Sequence, residues 1–475
     1  MMRSGLVLAT IVIAACGAST PPPAAGGVSG SPRATAAAGS GSSASPVAST
    51  PTPKPTSRVS PSDWPTYHHD NARTGVSTEI ASFTTVDAAW QTEALTGDVY
   101  AEPIVASGYA IVATERNVVY SFDARTGAQR WRTALGAPVT SSTLPCGNIA
   151  PVTGITSTPV ADVDAGLVYV VDFEMPLHHQ LYALDLVTGE VRFQRAVDAP
   201  GNDARVHQQR SALALANGRV YIAYGGLAGD CGAYHGTVVA ASATSAAGDL
   251  LFYRVPATGG GGIWAPSGVA VDASGAVYPV TGNTDTSGQF DMNDAVLRLS
   301  PDLALEDYWA PTEWLVLSRT DTDIGSVGPT LLPNDRVIES GKNGIVYVLR
   351  ASDLGGIGGQ LASQRVCGSV FGGFAFANGV AYVPCSDGLA ALQIDPSMRI
   401  LWRGPRATIG SPIIAGGAAW VTDYSGGVLY ALDLGSGAVR FSRSIGGMQH
   451  FTTPTAFMSE ILVAAGGRLQ AFRLR

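Results

Sequence analysis

The stretch Ser121-Phe122-Asp123-Ala124-Arg125-Thr126-Gly127-Ala128-Gln129-Arg130-Trp131 decides the fold. An apolar strand ends at Asp123, Thr126-Gly127 makes a turn, and the next strand carries an aromatic residue. The pattern returns as Ala183-Leu184-Asp185-Leu186-Val187-Thr188-Gly189 and as Ala431-Leu432-Asp433-Leu434-Gly435-Ser436-Gly437. Upstream, apolar strands open on a small residue with proline or a stand-in: Glu102-Pro103-Ile104, Thr158-Pro159-Val160, Ser211-Ala212-Leu213, Ala265-Pro266-Ser267, Gly328-Pro329-Thr330, Gly372-Gly373-Phe374, Ser411-Pro412-Ile413 and Thr453-Pro454-Thr455. Pro103 and Pro454 are seven repeats apart, which gives about 50 residues per unit, the period of propeller repeats.

Each opening strand leads to a second, such as Leu167 to Asp172, Val220 to Tyr224 or Ala276 to Thr281, and a third, such as Val119 to Asp123 or Leu181 to Asp185. The strand after the turn carries Trp131, Phe193, Phe252, Trp309, Trp402 or Phe441. Four strands per unit make one blade. The last unit supplies three strands, ending at Leu469 to Leu474, while a lone strand, Val86 to Thr92, precedes the first unit. Pairing them closes the ring and removes two exposed edges. The expectation is an all-β, eight-bladed propeller of four-stranded antiparallel blades over residues 63–475, closed by its N-terminal strand.

The 475 residues are 46% hydrophobic and 14% charged, enough to bury a large core. Lysine plus arginine number 29 against 37 acids, a net charge of −8, which argues against a nucleic-acid partner, whose phosphates need a basic stripe. Residues 1–15 read as a signal peptide: Arg3, the apolar run Gly5 to Ile13, then Ala14-Ala15 before Cys16. This resembles a bacterial lipoprotein signal, which implies lipidation at Cys16 and an extracytoplasmic, membrane-anchored chain. Residues 17–62, rich in Ala, Gly, Ser, Thr and Pro, cannot bury a core and read as a tether of about 35 to 40 Å root-mean-square span. With no later stretch of 18 apolar residues, the lipid is the expected membrane contact, and the propeller is expected to be a monomer.

The repeat and the opening Trp64-Pro65-Thr66-Tyr67-His68-His69-Asp70-Asn71-Ala72-Arg73-Thr74-Gly75 resemble the pyrroloquinoline quinone (PQQ) repeat family. That resemblance covers about 410 residues and implies the fold. It leaves the cofactor open, because the same repeat builds cofactor-free propellers such as the lipoprotein of the outer-membrane assembly machine.

In an up-and-down blade, the loops between second and third strands and the entry connections to the next blade emerge on one face. That face should carry Glu115, Glu174, His178, His179, Asn283, Lys342 and Asp387 in the first set, His207, Arg210, Trp264, Asp323 and His450 in the second, and also Cys146, Cys231, Cys367 and Cys385. Five residues resemble the pocket of PQQ-dependent alcohol dehydrogenases in order. The resemblance implies Ca²⁺ binding by Glu174 and Asn283, a quinone floor at Trp264, a catalytic base at Asp323, and Lys342 on the quinone oxygens. The residue types suit the chemistry: carboxylate and amide oxygens suit Ca²⁺, a carboxylate accepts an alcohol proton, and a fixed cation favours a reduced quinone. Taken singly, the four polar ones are loop residues of the kind any propeller rim carries, and Trp264 is core or lid packing.

No Cys-x-x-Cys-His is present, so no haem is expected, and no adjacent cysteines supply the disulfide those dehydrogenases commonly carry. Export permits disulfides, and of three possible pairings the placement on neighbouring blades favours Cys146 with Cys231 and Cys367 with Cys385. The His68-His69 and His178-His179 pairs read as loop histidines. Two functions stay open: oxidation of an alcohol or sugar with PQQ and Ca²⁺, or a cofactor-free scaffold binding an envelope protein.

Overall fold

The computed structural model describes residues 59–285, 288–395 and 397–475. The signal peptide, Cys16 and nearly all of the tether lie outside the described residues. Eight sheets succeed one another along the chain, each with at least four strands. Blade one spans Ile104–Ala106, Tyr109–Thr114, Val118–Asp123 and Gln129–Ala134, and blade seven closes with Val439–Ser444. Blade eight takes three strands from Thr455–Phe457, Glu460–Ala465 and Arg468–Leu474, and its fourth is Val86–Gln91, antiparallel to Arg468–Leu474. The ring is therefore closed as expected. One short α-helix, Trp314–Arg319, occurs among the described residues, in the connection to blade five.

The repeated Asp-x-x-Thr-Gly turn has a structural cause. Asp123 Oδ1 accepts from the Arg125 and Thr126 amides and the Thr126 hydroxyl, an Asx turn that ends the strand. Gly127 then takes φ +72°, and a Cβ there would lie 2.4 Å from Trp90 of the preceding blade's outer strand. Gly189 stands in the same relation to Trp131, and Gly437 to Trp402. Trp131 Nε1 donates to Leu186 O at 3.0 Å and Trp402 Nε1 to Leu434 O at 2.8 Å. Each indole thus covers the next blade's turn, and burying one contributes about 2 to 3 kcal/mol. The core is divided accordingly into wedges between blades, as in the cluster of Val119, Trp131, Val168 and Tyr182 between blades one and two.

The opening segment has a role that its strand pattern did not signal. Trp64 pairs with Val105 of blade one, and Pro65 O accepts from Ala161 of blade two. Asn71, Ala72, Thr74 and Gly75 carbonyls accept from Val271, Leu331, Phe376 and Ile414, on the inner strands of blades four to seven. Arg73, fully buried, reaches Leu213 O of blade three and Val269 O of the fourth entry connection. Residues 64–75 therefore run past the inner strands of seven blades and plug the channel beneath the entry connections.

Two local expectations change. Blade four's second strand is only Val277–Tyr278 rather than Ala276 to Thr281, because Pro279 offers no amide to the ladder; pairing resumes beyond it, where Thr281 N donates to Ala295 O. His179 lies on a strand rather than in a loop, and both it and the turn residue His68 are buried. His68 stacks on Tyr67, and His179 stacks on Phe173 with Nδ1 2.7 Å from Asp198 Oδ1.

Candidate functional site

The two loop sets do share a face, and between them lies a cavity of about 500 Å³. Entry connections contribute Asn148, Arg210, Trp264, Asp321 and His450, and second-to-third loops contribute Asp230, Asn283 and Lys342. Trp264 is wedged among glycines: a Cβ on Gly225 would lie 2.8 Å from Trp264 Cβ, and one on Gly282 would lie 3.6 Å from its Nε1. The glycines leave room for the indole to border the cavity.

Lys342 stands beside that indole, with Nζ 5.5 Å from the ring centroid. Its ammonium meets Asp321 Oδ1 at 2.5 Å and Asp323 Oδ2 at 2.6 Å. Burial alone would lower its pKa, but the two carboxylates outweigh burial and hold it above the usual lysine range. Asp323 has no exposed surface, and burial raises its pKa against the pull of Lys342. Asp294, also fully buried, is pushed well up by burial and by Asp323. A single proton or cation more or less in this group changes the charge of the whole cluster.

Of the expected site residues, Trp264, Asn283 and Lys342 come to one cavity, with Asp323 directly behind Lys342. Glu174 does not join them. It ends the second strand of blade two, where its carboxylate accepts from Tyr182 Oη at 3.0 Å and meets His178 Nε2 at 2.9 Å. Gly136 packs so closely on it that a Cβ there would lie 1.3 Å from Glu174 Oε2. Glu174 is thus engaged within blade two and is not part of the cavity lining, and no three His, Cys, Asp or Glu side chains gather as a metal site among the described residues.

The carboxylates that line the cavity are Asp230 and Asp321, which the sequence reading had not assigned a role. Asp230 accepts from Tyr234 Oη at 2.7 Å. The available signal was its neighbour Cys231, a cysteine in a loop of the expected face. Cys146 and Cys231 are bonded, with Cα atoms 6.1 Å apart, and their neighbours Asn148, Gly229 and Asp230 line the cavity, so this disulfide joins two loops of its rim. Cys367 and Cys385 form the second bond, with the same Cα separation.

The fold meets known proteins at several points. A family model described as outer membrane protein assembly factor BamB matches residues 77–286. Quinohemoprotein alcohol dehydrogenase from Comamonas testosteroni is 16% identical with a TM-score of 0.68, over 87% of this chain and 80% of that one. A europium-containing methanol dehydrogenase is 15% identical with a TM-score of 0.68, over 87% and 98%. BamB from Moraxella catarrhalis is 13% identical with a TM-score of 0.55, over 82% and 98%. No curated protein sequence matches at a significant level. The chain has the PQQ-type β-propeller fold, an architecture shared by these redox enzymes and this assembly factor.

Proposed function

We propose that this chain is an extracytoplasmic, lipid-anchored propeller that binds PQQ in its mouth cavity and oxidises a small alcohol or sugar. The observation that carries the reading is Lys342, fixed by two carboxylates beside the cavity-lining indole of Trp264. The residues fit a quinone: the volume suffices for a tricyclic ligand, an aromatic wall is present, and a fixed cation borders the space. Of the expected metal pair only Asn283 lines the cavity, and no step is derived through a metal. No helix among the described residues is long and apolar enough to cross a membrane, so the proposed anchor is the lipid at Cys16.

Bound PQQ supplies an acceptor for the two electrons leaving an alcohol carbon. Trp264 presents a ring face, and Lys342 favours negative charge developing on a ligand oxygen near it. Asp321, exposed and lining the cavity, is the carboxylate that a substrate hydroxyl meets first. Asp323, shut behind Lys342, holds the ammonium in place, so its proposed role moves from base to positioning residue. Asn283 offers an amide to polar ligand atoms. Adding PQQ, with and without Ca²⁺, should quench tryptophan fluorescence and support dye reduction by an alcohol or sugar, and Asp321→Asn should lose reduction while keeping the quench.

The engagement of Glu174 within blade two favours the second reading, a cofactor-free scaffold for an envelope protein. Absence of both quench and dye reduction in the wild type would select it.

A further inference from the structure

The outer strands of blades five, six and seven are Ala362–Arg365, Arg399–Arg403 and Val439–Ser444. They carry five arginines, Arg365, Arg399, Arg403, Arg440 and Arg443, and no acidic residue. All five are exposed, and none has a carboxylate within ion-pair distance among the described residues. Their contacts are with neutral groups. Arg365 Nη1 donates to Asn343 O at 2.8 Å, Arg399 Nη2 to Gln393 Oε1 at 3.0 Å, and Arg403 Nη2 to Val366 O. Arg440 donates to Gly417 O and Phe83 O, and Arg443 lies over the Phe472 ring. The neighbouring acids are engaged elsewhere. Asp395 accepts from both Nη atoms of Arg336, and Asp433, close enough to Arg440 to feel its charge, holds its own turn through the Gly435 and Ser436 amides. Five positive charges thus face outward along three consecutive blades of a chain whose net charge is −8.

A bare sheet edge is commonly protected by charge, but protection alone does not account for this distribution. The outer strand of blade four carries Glu306 and Asp307, that of blade eight carries Asp87, and neither has an arginine. On blades one and two, Arg130 and Arg192 are paired with Asp123 and Asp185. Blades five to seven therefore form the arc where three neighbouring edges keep their arginines clear of acids. Leu361, Leu401 and Val439 are exposed on or beside the same strands, so the charges are interleaved with aliphatic side chains.

We propose that this arc is a membrane-contact surface for the anionic headgroups of the lipid layer to which the chain is tethered. It rests on the lipid anchor of the proposed function. Arginine stems and exposed aliphatic side chains suit the boundary between headgroups and acyl chains, where apolar burial and attraction to anionic lipid add. Charges spread over three edges match a field of many small anions better than one acidic segment of a protein. The tether keeps the lipid surface at high effective concentration, so a weak contact is enough to be occupied. The propeller would then lie edge-on, and its mouth cavity would stay open to soluble ligands.

The test uses the full chain as Cys16→Ser, which carries no lipid, so that binding reads the arc alone. Sedimentation is measured with vesicles of phosphatidylcholine and with vesicles of equal parts phosphatidylcholine and phosphatidylglycerol. The arc predicts binding only to the anionic vesicles, lost when salt is raised. Arg399→Gln, Arg403→Gln and Arg443→Gln together should weaken it by about a hundredfold, at roughly fivefold for each charge near the surface. The same charge removed as Arg130→Gln, Arg132→Gln and Arg192→Gln, on blades one and two, should leave most of the binding. Absence of binding to anionic vesicles, or equal loss in the two triple variants, would overturn the proposal. So would arc-dependent binding of polyglutamate without vesicle binding, which would assign the surface to an acidic protein. Retention of the wild-type chain on cell membranes through a high-salt wash reads the lipid anchor instead, so either reading can fail without the other. A triple variant that does not fold is replaced by Arg399→Gln with Arg443→Gln, for which the expected loss is about twenty-five-fold.

Discussion

The ammonium of Lys342 meets the carboxylate of Asp323 at 2.6 Å, and that carboxylate is wholly buried. Lys342→Met would strand Asp323 in a dry site and cost about 3 kcal/mol at neutral pH. Asp323's folded pKa is raised even with Lys342 present and rises further without it. The folded variant then holds a proton that the unfolded chain releases near pH 4, so its stability is greatest in acid and falls as pH rises through the folded pKa. Urea denaturation at pH 5 and pH 8 should show a larger deficit at pH 8, and adding Asp323→Asn should remove most of that difference.

The turn glycines test the blade-to-blade latch. Gly127 and Gly379 have similar positive φ, +72° and +78°, but a Cβ on Gly127 would strike Trp90, while one on Gly379 meets nothing within 4 Å. Gly379→Ala should cost about 1 kcal/mol, the backbone penalty alone. Gly127→Ala should cost about 3 kcal/mol, because overpacking against the indole is added. Equal costs in chemical denaturation would mean that the indole contact carries no weight.

These latches explain why the fold was readable. The Asp-x-x-Thr-Gly turn, the aromatic before it and the fifty-residue spacing are parts of one interface repeated around a ring, so each repeat confirms the others. Site positions lack that redundancy. Glu174 precedes a strand with the Leu-x-Ala-Leu-Asp ending, which fixes its place along a blade but not whether its side chain faces the channel mouth or a neighbouring blade. Asp230 precedes a third strand, Thr237–Ser242, that lacks this ending, so only the neighbouring Cys231 pointed to its loop. Arg73 and Arg210 owe their burial to contacts from distant blades, which local sequence does not encode.

Glu102 joins the channel plug to the ring, accepting from Trp64 Nε1 at 2.7 Å and His68 N at 3.0 Å. Burial pushes its pKa to about 8 against those hydrogen bonds and Arg73. Between the unfolded glutamate value of about 4.3 and the folded value of about 8, the native state holds one more proton, so this group makes stability fall with rising pH by up to about 1.4 kcal/mol per unit. Glu102→Gln should flatten the stability profile across that window. A variant profile parallel to the wild type's would show that Glu102 is ionised throughout.

The two disulfides should separate in their response to reductant, and the difference should be felt in the cavity. Cys385 is fully buried, whereas Cys146 and Cys231 are only partly covered, so a thiolate reaches the Cys146–Cys231 bond first. That bond spans 85 residues against 18 for Cys367–Cys385, and the chain-entropy account gives it the larger effect on the unfolded state, about 4.6 kcal/mol against about 3.2. Mild reductant should therefore lower the Tm in two stages, the first reproduced by Cys146→Ser with Cys231→Ser. In that double variant, hydrogen exchange should rise at residues 143–149 and 227–234, the two rim loops the bond joins, while the inner strands keep their protection. Exchange that rises equally around the ring would show that the bond stabilises the whole propeller rather than its mouth.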